Sequence, residues 1–169
     1  MSMLNDPSMK EIVEDFCKEA SELFMELQDV LEVLEENPDD SAELENFGQI
    51  IDRVMGAARS IGADEIATFC ELGKTIGYKS SQIDDISLLN IVVAVLFDAV
   101  DILIKMVDQL KTGNPHSLEG LSTEAFVSRL NWLSDKFKDI ERSSCAMDGE
   151  GEGDMDQSSI DDLMASLGL

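Results

Sequence analysis

Basic residues are scarce in this chain: Lys and Arg number 12 against 36 Asp and Glu, a formal net charge of -24 over 169 residues. A surface of that sign repels phosphate backbones and anionic headgroups, so nucleic acid and membrane surfaces are not expected partners, whereas a protein with a basic patch is. There is one histidine, His116, and there are three cysteines, Cys17, Cys70 and Cys145, at no metal-ligand spacing. A disulfide framework, a metal constellation, a glycine-rich phosphate loop and a nucleophile triad are all missing. Cys17 and Cys70 read as small core residues on helices. Aromatic residues make up only 5%, and Trp132 and Tyr78 read as packing residues at a bundle edge. The N-terminus, MSMLNDPSMKEIVEDF, has neither the basic flank nor the apolar run of a secretory signal. The longest apolar stretch, 88–107, is interrupted by Asn90, Asp98, Asp101 and Lys105 and reads as a buried core helix rather than a membrane span. The expectation is a cytoplasmic protein without membrane insertion, with no metal and no cofactor of its own.

What is abundant is helical periodicity, in a chain that is 44% apolar and long enough for one domain and a tail. Asp6 and Pro7 open a first helix whose inward face is Ile12, Phe16, Ala20, Leu23, Leu27, Leu31 and Leu34. A second helix over about 40–60 turns Leu44, Phe47, Ile51, Val54 and Ala58 inward, and Gly62 suits a left-handed stop. A third begins at Asp64 with Ile66, Phe69, Cys70, Gly73 and Ile76 inside. The fourth, about 85–111, is apolar nearly all round, which argues for a central position. A fifth, from about 122, carries Phe126, Val127, Leu130, Leu133, Phe137 and Ile140. Helices of this length with short connections predict an all-α fold, an antiparallel bundle of five helices. The domain reading is a bundle over 1–142, a flexible acidic linker over 143–156, and a recognition segment over 157–169.

In that last segment Ile160, Leu163, Met164 and Leu167 fall at i, i+3, i+4 and i+7, one apolar stripe on two helical turns. Ser158 or Ser159 can cap it, Asp161 and Asp162 suit the positive end of its dipole, and Gly168 can close it. So short a helix is marginal alone and is expected to order on a partner's groove. The sequence SSIDDLMASLGL resembles the C-terminal CheY-binding peptide of the CheZ phosphatases of bacterial chemotaxis, over about twelve residues. The resemblance implies a CheY-like response regulator as partner, with Ile160, Asp161, Asp162, Leu163, Met164 and Leu167 as contacts.

The stretch LENFGQIIDRVMGAARSIG, from Leu44 to Gly62, resembles the second helix of a CheA-type histidine-phosphotransfer (HPt) domain, and helix number and lengths extend the likeness over 9–140. Where that family carries its phosphorylated histidine, this chain has Asp52, and His116 lies in a proline-containing loop as an exposed residue. The resemblance therefore implies docking of a response regulator without phosphotransfer. Glu45, Gln49, Asp52 and Gly56, spaced by four, three and four, form one exposed stripe opposite the core set, and Gly56 leaves room for close backbone approach.

Hydrolysis of an aspartyl phosphate needs a positioned water and support for charge already managed by the regulator's own Mg2+ and lysine. The auxiliary phosphatases of this system supply an acid and an amide from one helix. Glu45 and Gln49 have the i, i+4 order of CheZ. Asp52 is a second acid within reach of Gln49, and Glu43 with Asn46 has the i, i+3 spacing of the CheC/CheX phosphatases. The resemblance makes Gln49 the water positioner with Glu45 or Asp52 as acidic companion. Lys74, Lys79 and Arg59 read either as solvating the outer face of the third helix or as meeting acidic residues around a regulator's active site. The rival expectation is a non-catalytic adaptor or sink that holds the regulator through a pseudo-HPt surface.

Overall fold

The computed structural model describes residues 3–145 and 157–169. Among these the chain is all-helical: α1 (Lys10–Glu36), α2 (Ser41–Ser60), α3 (Asp64–Ser80), α4 (Ile86–Lys111), α5 (Glu124–Cys145) and α6 (Gln157–Leu167), preceded by short 3-10 turns. Helix starts follow the short acids. The Asp6 carboxylate accepts from the Ser8 N–H at 2.9 Å and caps the turn that leads into α1. That hydrogen bond holds the Asp6 carboxyl below its ordinary range. Asp40 and Asp85 cap α2 and α4 by accepting from the Glu43 and Leu88 N–H groups, each at 3.2 Å. α2 ends where Gly62 takes φ 76°. There the Gly62 N–H donates to Arg59 O at 3.1 Å and the Ala63 N–H to Ala58 O at 2.9 Å, the paired pattern that satisfies a helix's last carbonyls.

Short connections force neighbouring helices to run antiparallel. α1 packs on α2 and α4, and α3 closes the ring by packing on the same two. Phe47, Phe69, Leu27, Leu31, Ile51, Ile76 and Leu96 are fully enclosed at its centre. α4 is long and apolar enough to cross a membrane by length and composition alone. In this fold thirteen of its residues are buried, and α1, α3 and α5 pack on it. α5 lies on α4, and its Phe126 ring meets the Phe69 ring of α3 at 5.5 Å between centroids. α3 and α5 run in the same direction. Glu65, in the first turn of α3, receives Ser117 Oγ and the Leu118 N–H, both at 3.2 Å, just before α5 begins. Near the other end Lys79 Nζ donates to Glu141 at 2.9 Å.

Several expectations shift. Ile12 is half exposed, because α1 has 27 residues and α2 only 20, so the first turns of α1 outrun their cover. Ile140 is also exposed, and its neighbour Glu141, half-buried, reaches Lys79. Tyr78 and Trp132 stand on the outside, the latter with Lys136 Nζ 5.3 Å from its ring centre. α3 buries more than one stripe: Ala67, Leu72, Lys79 and Ser80 are enclosed with the five expected residues, because helices cover it on several flanks. α5 continues to Cys145, so 143–145 belong to a helix rather than to the linker. The rest of that linker, with Glu150, Glu152, Asp154 and Asp156, lies outside the described residues.

Candidate functional site

Along α2 the residues Glu45, Gln49 and Asp52 share one edge, and α3 lies beside it. Together they form an open groove of about 640 Å3, lined also by Lys74, Tyr78 and the backbones of Gly48 and Gly77. Glu45 and Gln49 are exposed, and Asp52 is half-buried. Lys74, one helix away, donates to both Asp52 oxygens at 2.8 and 2.9 Å. That bidentate clasp offsets the Asp52 charge and leaves Glu45 as the acid of the stripe with the freer carboxylate. Both partners are close to half exposed, so the pair contributes on the order of 0–1 kcal/mol to folding.

The glycines of this groove are not demanded by the helices that carry them. A Cβ on Gly48 would meet nothing within 4 Å, and one on Gly77 would meet Phe47 Cδ1 at 3.6 Å, an ordinary contact. Each glycine inside a helix is unfavourable by roughly 0.5–1 kcal/mol against alanine. The bare floor therefore serves access to the groove better than it serves the fold. Gly56 is exposed on the same helix with open space around its Cβ direction, but it lies outside the groove lining. Glu43 is half-buried and Asn46 exposed, and neither lines the groove.

The C-terminal segment forms the expected helix, but its groove is supplied by the chain itself. α6 packs on α3 and α5. Ile160 and Met164 are 1% and 4% exposed, and Leu163, Leu167 and Leu169 pack against the same core. Asp161 meets Lys138 of α5 at 2.9 Å, while Asp162 faces solvent. At the other end Leu167, Gly168 and Leu169 lie beside Glu65, His116 and Thr123, so α6 runs antiparallel to both neighbours. Gly168 closes the helix at φ 74°, with the Leu169 N–H donating to Met164 O at 2.9 Å. The helix starts at Gln157, which puts Ser158 and Ser159 inside its first turn rather than at its cap. Burying Ile160 and Met164 stabilises this seat by about 1.5–3 kcal/mol each as an upper bound.

The fold thus brings Glu45, Gln49 and Asp52 together and sets the α6 residues on the far flank of α3. Sequence reasoning missed the partner of Asp52. None of the three basic residues near α3 merely solvates it: Lys74 clasps Asp52, Arg59 meets Glu71 at 3.2 Å, and Lys79 is buried against Glu141. An i, i+3 recurrence of Lys74 and Gly77 on α3 is the local signal that these share an edge; only packing turns that edge toward Asp52. His116 is exposed, its Nδ1 3.7 Å from Glu65. Cys17 and Cys70 are buried free thiols, and burial pushes Cys70 up to about 12. Among the described residues no cluster of three or more His, Cys, Asp and Glu is placed to hold a metal ion. No family model, no curated protein and no solved structure matches this chain.

Proposed function

We propose that this protein captures a phosphorylated CheY-like response regulator in the cytoplasm and accelerates loss of its aspartyl phosphate. The observation that carries the reading is the convergence of Glu45, Gln49 and Asp52 on one open groove whose floor is stripped of side chains at Gly48 and Gly77. A helix edge of that kind can enter the cleft of a globular partner. There the Gln49 carboxamide, donor and acceptor at once, would hold a water in line with the phosphorus while the acyl phosphate bond breaks toward the regulator's aspartate. Glu45 would face the regulator's lysine, because Asp52 is engaged by Lys74. Any Mg2+ in the reaction belongs to the regulator. In this reading α1–α5 is an HPt-like body that lacks a phosphoacceptor histidine, and α6 supplies a second, CheZ-like contact. Two linked contacts raise avidity by ~10^2 or more over either alone.

The Asp52–Lys74 pair favours a second reading, the adaptor. A lysine beside the groove could hold the phosphoryl group without assisting its hydrolysis, making the protein a sink. Substoichiometric protein mixed with a phosphorylated CheY-like regulator separates the two. Under the first reading phosphate release turns over, and Gln49→Ala slows it by about 10^2-fold while capture persists. Capture with unchanged or slowed decay establishes the adaptor, and no capture of any CheY-like regulator removes both.

A further inference from the structure

The apolar face assigned to partner recognition is already in use. Ile160 and Met164 are enclosed against α3 and α5, and Asp161 is tied to Lys138. An eleven-residue helix has little stability of its own in water, so its order in the free chain comes from that seat. The lining of the α2–α3 groove includes no α6 residue. A partner can therefore enter the groove while α6 is still seated, but cannot grip the α6 stripe until it leaves. Eleven residues join Cys145 to Gln157, a length that reaches about 35 Å when extended, so α6 can depart without losing its connection.

We propose that α6 is a reversible latch: its apolar face closes the α3–α5 flank of the free protein, and the receiver must draw that same face away to bind it. The seat is then an intramolecular competitor of the receiver. It lowers the apparent affinity by the fraction of time α6 is closed. This rests on the reading of α6 as a receiver-binding segment. Lys138 is the lever, because it holds Asp161 from α5 and belongs to neither the groove nor the α6 stripe.

The test uses the full chain and a phosphorylated CheY-like receiver, with backbone amide exchange and equilibrium binding as readouts. Alone, the chain should protect the amides of 161–167 at least tenfold over an unstructured peptide, and Lys138→Glu should lower that protection while Lys138→Arg keeps it. Lys138→Glu should also bind the receiver about three- to tenfold more tightly. Adding receiver to the unaltered chain should speed exchange in α5 as its cover leaves. The latch is overturned if α6 exchanges like a free peptide in the unaltered chain. It is also overturned if the receiver binds but leaves α5 exchange unchanged, or if a loosened α6 brings no gain in affinity. Protection of α6 with no receiver bound by any form removes the functional reading and the latch with it, leaving a plain sixth bundle helix.

Discussion

The two flanks of α3 have opposite surroundings. Toward α2 its edge is open, with Lys74, Gly77 and Tyr78 beside a charged groove. Toward α5 and α6 it is closed: the Phe69 ring meets the tilted ring of Phe126, Lys79 is buried against Glu141, and the α6 stripe lies over the rest. One seventeen-residue helix therefore carries a face shaped by packing and an edge on which packing makes few demands. The residues kept on the open edge, an ion pair of small energetic value and glycines that weaken their helices, are those the fold needs least. That is why the groove, and not the larger apolar contact, is the better candidate for chemistry.

The contrast can be broken most strongly at its closed side. Phe69→Ala should destabilise the protein by about 3–5 kcal/mol in denaturant unfolding, whereas Tyr78→Ala, on the open edge, should stay within about 0.5 kcal/mol. Comparable losses from the two would erase the distinction between flanks. Alkaline titration probes the same buried side. The folded state keeps the Cys70 proton up to about 12, against an ordinary thiol value of 9.0. The unfolded chain releases that proton first, so the stabilising term is complete below pH 9 and fades as pH rises toward 12, by up to ~4 kcal/mol. Cys70→Ala should flatten that part of the stability profile, and an unaltered slope would show that the thiol is not enclosed.

Met164→Ala tests whether α6 is a separable cover. About 2 kcal/mol of side-chain burial is lost, and it should appear as faster amide exchange confined to α6 and its seat, with the main unfolding transition little moved. On the open side the signs reverse. Gly48→Ala should stabilise the protein by roughly 0.5–1 kcal/mol, since its methyl meets nothing, while weakening receiver capture by filling the groove floor. A stabilised variant that binds as before would deny the groove its docking role. A small effect is expected also at Asp52→Asn, below about 1 kcal/mol and smaller still in high salt. A larger loss would mean that the Lys74 clasp is structural.

Much of the architecture is local physics and could be read along the chain. The cap at Asp6, the left-handed stop at Gly62 and the apolar stripes of α1, α2 and α5 each depend on residues a turn or two apart. The stripe Glu45, Gln49 and Asp52 is legible for the same reason, since helical spacing alone puts it on one face. Ile12 and Ile140 broke the pattern because cover depends on how long a neighbouring helix runs and which residue meets it.

The sequence by itself determined that the chain would be helical, about where α1 to α4 would start and stop, and that an acid, an amide and a second acid would align on α2. Only the tertiary structure decided what those residues face. Asp52 and Lys74 are 22 positions apart and meet because α2 and α3 pack side by side. The α6 stripe, equally suited to a foreign groove, is enclosed by α3 and α5 because burying apolar surface rewards whichever complementary face is nearest.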